Sequence, residues 1–275
     1  MEKKGSKIKK AFVIILVLFV IWTLWYWVPV TERITLDILK GSGGGVRIAL
    51  VTDLHSCYYG KDQKQLTKRI DKEEPDVILL AGDIFDDEID DKNARILMEN
   101  LVTKYPCYYV TGNHECWSLR ASEMKEYMES VGVHVLAGDC ETITVNGSAL
   151  DICGVDDPDD LTDSQWKHQL DTAYAATDES HVRILVTHRP ERVNDYEQYG
   201  FDLIVAGHAH AGQIRIPFIN KGVLAPDQGF MAEYVNGEYT LSNGSIMVVS
   251  RGLARESTLA PRYFNHPELV IIDLK

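Results

Sequence analysis

Short apolar runs alternate with segments of helical periodicity along most of the chain. Five runs have the length and the β-branched content of buried strands, at residues 48–52, 77–81, 108–111, 184–187 and 203–206. Between them, apolar side chains recur three and four residues apart at residues 66–70, 94–101 and 124–131, which predicts three amphipathic helices. This alternation of strands and helices is typical of the α/β class.

The N-terminal segment has a different pattern. The first ten residues carry five lysines and one glutamate, and Thr23 is the only polar side chain in residues 11–28. At about 1.5 Å per residue, these eighteen positions span roughly 27 Å, enough for a bilayer core. We therefore expect a basic cytoplasmic tail (1–10), a transmembrane anchor (11–28) and one domain (31–275). A cleaved signal peptide is the alternative, but no small-x-small cleavage site follows.

The position of the lysines predicts the membrane orientation. Basic residues flanking a span favour the cytoplasmic side, so the domain at 31–275 is expected outside the cytoplasm, on a single-pass membrane protein.

Weaker signals complete the domain. Alternation at Ile34, Leu36 and Ile38 predicts a strand before the glycine-rich residues 41–45, which form either a turn or a flexible linker. Asn146-Gly147 predicts a hairpin turn. The chain beyond Gly207 is β-rich, and no second domain is apparent.

Polar motifs follow each of the five apolar runs. They are Asp53-Leu54-His55, Gly82-Asp83, Gly112-Asn113-His114-Glu115, His188 and Gly207-His208-Ala209-His210. Because the carboxyl ends of strands in α/β folds meet at one crevice, these side chains are expected to converge. A mixture of imidazole and carboxylate groups suits manganese, zinc or iron, and calcium much less.

These motifs, in this order, resemble the calcineurin-like metallophosphoesterases, whose pattern is D-x-H, G-D, G-N-H-[E/D], a single His and G-H-x-H. The Gly212-Gln213 pair after the last motif is similar to the branch of membrane-anchored bacterial phosphodiesterases related to YkuE and YaeI. The resemblance implies a four-layer αββα sandwich with the site at the carboxyl edge of its strands.

The resemblance also implies ligands for two divalent metal ions (Mn, Zn or Fe). One ion would be held by Asp53, His55, Asp83 and His210, and the other by Asp83, Asn113, His188 and His208. Asp83 would bridge them. Two ions roughly 3.5–4 Å apart can share a hydroxide that attacks a phosphoester and can stabilise the phosphoryl oxygens.

His114 is not among these ligands and is expected to act as the general acid or charge stabiliser. In the protein phosphatases of this superfamily the pattern is G-D-x-x-D-R-G, so the resemblance implies that Asp86 orients His114. Asp87 stands where those enzymes have a phosphate-binding arginine, which argues against phosphoprotein phosphatase activity. Arg189 and Arg251 are either phosphate contacts or structural surface residues.

Charge and cysteine content restrict the function further. Beyond the first ten residues, 23 basic side chains face 40 acidic ones, a balance of −17 that argues against a nucleic-acid partner. The acidic cluster is expected to be a solvated loop that caps the next helix, or to border the pocket; it comprises Asp156, Asp157, Asp159, Asp160 and Asp163.

Five cysteines, an odd number, argue against a complete disulfide framework. Cys57 and Cys116 could approach one another, or remain packed thiols.

The sequence thus predicts a two-metal hydrolase, namely a phosphodiesterase or pyrophosphatase acting on a membrane or envelope substrate that can be lipid-linked. Two other classes stay open: a soluble nucleotide or nucleic-acid phosphoesterase, and a non-catalytic metal-binding interaction protein.

Overall fold

The computed structural model describes residues 10, 12–16, 27–215, 222–255 and 262–275. Much of the expected anchor, residues 11 and 17–26, lies outside this part of the chain. Residues 12–16 are helical with exposed side chains. Among the described residues, no helix is both long and apolar enough to cross a bilayer.

Two six-stranded sheets form the centre of the fold. The strands of the first sheet are Val30–Leu36 (β1), Val46–Val51 (β2), Val77–Ala81 (β3), Cys107–Val110 (β4), His134–Val135 (β5) and Glu268–Leu274 (β14). In space they follow the order β1-β14-β2-β3-β4-β5, with only the β14–β2 pair antiparallel.

The strands of the second sheet are Asp139–Val145 (β6), Ser148–Gly154 (β7), Val182–Val186 (β8), Leu203–Ala206 (β9), Gly237–Thr240 (β12) and Ile246–Val249 (β13). Their order is β12-β13-β9-β8-β7-β6, with antiparallel strands at both edges. A separate two-stranded hairpin joins Leu224–Ala225 (β10) to Gly229–Phe230 (β11).

Helices cover the outer face of each sheet. They are Lys64–Glu73 (α1), Lys92–Leu101 (α2), Asn113–Trp117 (α3), Ala121–Val131 (α4), Asp163–Ala175 (α5) and Val193–Tyr196 (α6). Apolar residues of α1, α2 and α4 pack on the first sheet, and those of α5 and α6 pack on the second. The three predicted amphipathic helices are confirmed.

A third core lies between the sheets and explains why the strand runs are apolar throughout. In β2, Ile48 and Leu50 point into the inter-sheet core, whereas Ala49 and Val51 point towards the helices. Successive strand residues face opposite sides, so a sheet buried on both sides needs apolar residues at every position. The layers are therefore helix, sheet, sheet and helix, which is the predicted αββα arrangement.

The glycine-rich loop is held in place and is not a flexible linker. Gly44 donates a backbone hydrogen bond of 2.7 Å to the carbonyl of Asn146 and accepts one of 2.8 Å from the Ser148 hydroxyl. A Cβ at Gly43 would lie 2.5 Å from the Ser148 backbone nitrogen, so only glycine fits against the turn. The turn itself is the predicted hairpin, with Asn146 at φ 50° and Gly147 at φ 82° between antiparallel β6 and β7.

The cysteines form one cross-strand disulfide. Cys140 of β6 and Cys153 of β7 are register partners and are bonded to each other. Cys57 and Cys116 are buried and are not joined to one another, so the suggested approach of these two residues does not produce a bond. The Cys57 sulfur instead accepts a hydrogen bond from the backbone N–H of Arg255.

Candidate active site

The seven expected metal ligands converge at the carboxyl ends of β2, β3, β4, β8 and β9. They are Asp53, His55, Asp83, Asn113, His188, His208 and His210, and each is at most 8% exposed. Each follows its strand within a few residues, so the parallel strands bring them to one edge.

The loops that carry these residues have unusual backbone conformations. Asp53, His55, Asp83, His208 and His210 all have φ between 44° and 64°, in the left-handed region that non-glycine residues rarely occupy. Strain of this kind concentrates at functional sites, where the surrounding structure enforces it. Five of the seven expected ligands have this conformation, as do eleven other non-glycine residues in the described part of the chain.

Asp83 lies at the centre of the cluster. Its Oδ2 atom is 3.1 Å from Nε2 of His188 and 3.5 Å from Nε2 of His55. Neither Oδ2 of Asp83 nor Nε2 of His55 has a hydrogen-bond partner among the described residues, although both are buried. Gly82 makes room for this packing, because a Cβ there would lie 2.5 Å from Nδ1 of His188.

The expected ligands form two groups, one that includes Asp83 and one beside it. The first contains Asp53, His55 and His210, and the second contains Asp83, His188 and His208; within each group the ligand atoms lie within 4.8 Å of one another. The side-chain oxygen of Asn113 is 3.2 Å from Nε2 of His188, beside the second group. Buried polar atoms without partners are costly, and a cation would satisfy them. The residues thus fit two divalent metal ions.

A second layer of contacts orients the imidazole rings. Nδ1 of His188 lies 2.8 Å from the carbonyl of Ala81, and Nδ1 of His55 lies 3.0 Å from Asp86. Such contacts fix the tautomer, which leaves Nε2 of both rings available to a metal.

The contact that orients His208 involves its Nε2 atom instead of its Nδ1 atom. Its Nε2 atom lies 2.9 Å from Oδ2 of Asp227, so Nδ1 is the nitrogen left for a metal. Asp227 lies between β10 and β11. It is not part of any motif in the sequence, so the sequence analysis did not predict its contact with His208.

Burial and charge shift the pKa values of the central pair in opposite directions. Burial alone would raise the pKa of Asp83, but the charges of His188 and His55 hold it well below its ordinary value. Burial alone would lower the pKa of His188, but the Asp83 carboxylate raises it to about 10. The carboxylate is therefore ionised and available for cation binding.

Glu115 supports the Asp83 loop, a role that the sequence analysis did not assign. Its carboxylate accepts backbone hydrogen bonds of 2.8 to 3.0 Å from Asp83, Ile84, Phe85 and Gly112. Burial and the neighbouring Asp83 carboxylate raise the pKa of Glu115 to about 7. The sequence did contain a signal for this role, because Glu115 is the acidic residue that ends the Gly112-Asn113-His114-Glu115 motif.

The contacts of His114 correct one prediction. Its Nδ1 atom is 2.6 Å from Oδ1 of Asp87 and 3.6 Å from the nearest oxygen of Asp86. Asp86 is buried and bonded to His55 instead. The two adjacent carboxylates point to different rings, so Asp87, and not Asp86, is placed to orient His114.

The candidate arginines are both structural in their contacts. Arg189 is 3% exposed, and its guanidinium pairs with Asp157 at 2.6 Å and with Asp227. The same group lies 3.1 Å from Nε2 of His208. Arg251 pairs with Glu268.

The acidic cluster is only partly solvated. Asp157 is completely buried by its pairing with Arg189, and Asp156 is 8% exposed beside Lys125, so the expectation of a solvated loop is wrong for these two. The following helix is capped by the Thr162 side chain, which accepts from the backbone of Gln165.

A cleft of about 1020 Å³ opens over the cluster. Asp83, Asn113, His114, His208 and His210 line one part of it. The rest is lined by Trp117, by residues 212–214 and by Val223, Leu224, Ala225, Pro226, Asp227 and Gly229. Substrate-sized space is thus available beside the expected metal ligands and His114.

Comparisons with known proteins identify relatives of this chain. An uncharacterized metallophosphoesterase of Helicobacter pylori J99 is 28% identical over 75% of this chain and 54% of its own length. The uncharacterized metallophosphoesterase YkuE of Bacillus subtilis is 28% identical over 84% of this chain and 79% of its own. The chain spans about half the length of the Helicobacter relative.

Structural similarity extends to more distant proteins. Haemophilus influenzae NAD nucleotidase superposes with a TM-score of 0.51 at 16% identity, covering 78% of this chain and 46% of the nucleotidase, a likeness of fold. Residues 46–212, which include β2 to β9, match the calcineurin-like phosphoesterase family. The chain therefore belongs to the calcineurin-like phosphoesterases.

Proposed function

We propose that this protein is a phosphodiesterase or pyrophosphatase that depends on two divalent metal ions. The observation that carries the proposal is the buried Asp83 oxygen, which faces His55 on one side and His188 on the other and has no hydrogen-bond partner in the described part of the chain. Asp53, His55, Asp83 and His210 would hold one ion, and Asp83, Asn113, His188 and His208 the other.

Bound ions of this kind polarise phosphoryl oxygens and supply a nucleophilic water at neutral pH. The chain's own residues supply proton transfer and orientation. His114 lines the cleft together with Asp83 and Asn113, and its Nδ1 atom is paired with Asp87. A ring held in this way can present Nε2 to the leaving oxygen and deliver a proton to it.

Charge favours a diester over a monoester. The position after Asp86 carries a carboxylate, and that carboxylate is engaged by His114. The domain as a whole is strongly acidic. A singly charged diester is repelled less by such a site than a dianionic monoester.

The N-terminal segment supports a membrane or envelope location for the substrate. The eighteen residues at 11–28 are almost entirely apolar and follow five lysines, as in an anchor with its domain outside the cytoplasm. An anchor raises the local concentration of the domain beside lipid-linked phosphoesters.

Hydrolysis of chromogenic esters by the full-length chain tests the proposal. After reconstitution with Mn²⁺ or Zn²⁺, bis(p-nitrophenyl) phosphate should be hydrolysed faster than p-nitrophenyl phosphate, and removal of metal by a chelator should abolish both activities. The Asp83→Asn variant serves as the matched inactive control.

Three outcomes would contradict the proposal in different ways. Turnover that persists without metal rejects the two-ion mechanism. A preference for the monoester rejects the diesterase assignment. Metal binding without any hydrolysis of either ester favours the non-catalytic interaction protein.

A further inference from the structure

One wall of the cleft that also holds the metal ligands is apolar and partly open to solvent. It consists of Trp117 on α3 together with Ile214, Val223 and Leu224. Trp117 is 55% exposed and Leu224 is 60% exposed. We propose that this wall binds an apolar substituent of the substrate, so that the preferred diester joins a phosphate to an alkyl chain or a similar hydrocarbon group. The inference rests on the proposed phosphodiesterase function.

Two polar groups along this wall, the Trp117 indole nitrogen and the Asp227 carboxylate, are already engaged by the protein. The indole nitrogen of Trp117 donates a 2.8 Å hydrogen bond to Asp159, which leaves the ring itself as the cleft surface. The carboxylate of Asp227 is paired with Arg189 and His208. A substituent bound here would therefore find few groups seeking hydrogen bonds, and an apolar one is favoured over a sugar or a nucleobase.

The β10–β11 hairpin extends the same surface beyond the cleft. Leu224 and Phe230 are cross-strand partners in the hairpin, and Phe230 is 74% exposed. Exposed apolar side chains that adjoin one another are typical of a binding surface. The wall is continuous with the ligand cluster because His208 and His210 line the same cleft. A chain attached to the phosphate would therefore run from the cluster towards the hairpin.

A homologous series of p-nitrophenyl alkyl phosphates tests this inference in the full-length protein. The methyl, butyl and octyl diesters share one leaving group and one charge, and each is used below its micelle concentration. We expect kcat/KM to rise about tenfold or more from methyl to octyl, because each buried methylene contributes a roughly constant factor. Most of this rise in kcat/KM should come from a lower KM if the alkyl chain binds equally well in the ground state and the transition state.

Variants locate the effect on the wall. The Val223→Ser/Leu224→Ser double variant should reduce the octyl-to-methyl ratio to about threefold or less, because the wall then offers less apolar surface. Leu119→Ser is the matched control: Leu119 is 91% exposed, lies two residues after Trp117 and does not line the cleft. It should retain the wild-type ratio. A ratio within one preparation does not depend on the fraction of active protein, so partial misfolding cannot imitate the result.

The possible failures are distinguishable. A metal-loaded protein that does not hydrolyse even the methyl diester contradicts the proposed function. Hydrolysis of all three diesters at equal kcat/KM leaves that function intact and rejects the apolar subsite. An octyl-to-methyl ratio that stays high in the double variant also rejects the assignment of the subsite to Val223 and Leu224.

Discussion

The carboxylate of Asp87 lies 2.6 Å from Nδ1 of His114. The preceding residue, Asp86, points to a different ring and lies 3.0 Å from Nδ1 of His55. One carboxylate thus faces the expected general acid, and its neighbour faces an expected metal ligand. Substitutions of Asp87 and Asp86 should therefore affect proton transfer and metal binding separately.

Substitution of Asp87 should affect turnover more than metal content. Asp87→Asn keeps the shape but weakens the orientation of His114, and we expect about a tenfold loss of kcat, less than the roughly 10²- to 10⁴-fold that acid catalysis contributes, because the ring itself remains. Asp86→Asn should instead weaken metal binding about 10- to 100-fold, as loss of a contact behind a ligand does. Steady-state kinetics and elemental analysis of both variants distinguish these effects. Equal kinetic and metal defects in the two variants would reject the separation.

Removal of the His114 ring should lower turnover by roughly 10²- to 10⁴-fold while both metals stay bound. The loss should be smaller for diesters with good leaving groups, because such groups depart without a proton. Rates for a series of aryl diesters of graded leaving-group pKa measure this. A defect that is the same for all leaving groups would show that His114 stabilises charge rather than donating a proton.

Asp83 should control the binding of both metals, because its buried oxygen lies between His55 and His188. Asp83→Asn removes the negative charge shared by the two ligand sets and should abolish activity and reduce the occupancy of both ions. His210→Ala should chiefly empty one site. Metal analysis after reconstitution gives the stoichiometry. Two tightly bound ions in Asp83→Asn would argue against a bridging role.

Asp227 should tune only one of the two metal sites. Asp227→Ala removes the contact to Nε2 of His208, and we expect about 10- to 100-fold weaker binding of the ion held by His208. Competition with a metal-sensitive dye measures the two affinities separately. A loss shared by both ions, or by neither, would contradict the selective role.

The Glu115 carboxylate should contribute strongly to stability. Glu115→Ala leaves four buried backbone N–H groups without their acceptor, and we expect a loss of about 3 kcal/mol or more in the free energy of unfolding. Urea unfolding of the metal-free protein measures it. Glu123→Ala, an exposed glutamate of α4, is the control and should leave the unfolding midpoint nearly unchanged. A small effect of Glu115→Ala would mean that water replaces the carboxylate.

Contacts between distant parts of the chain explain what the sequence analysis missed. Arg189 looked like a surface residue or a phosphate contact, yet it is buried against Asp157 and Asp227, 32 and 38 residues away. The Cys140–Cys153 bond depends on the register of two strands. β1 pairs with β14, which is more than 230 residues later in the chain. Local pattern carries no information about such pairings.

The sequence by itself determined the five strands that carry the ligand motifs, the helices α1, α2 and α4, and the place of those motifs. It did so because a strand buried on both faces must be apolar along its length, and because parallel strands end at one edge. Only the tertiary structure decided which carboxylate serves which histidine. Asp86 and Asp87 are adjacent and chemically equivalent, so their roles depend on the direction in which the folded loop turns each side chain. The packing of the β3 and β4 loops sets that direction, and it places Asp86 beside His55 and Asp87 beside His114.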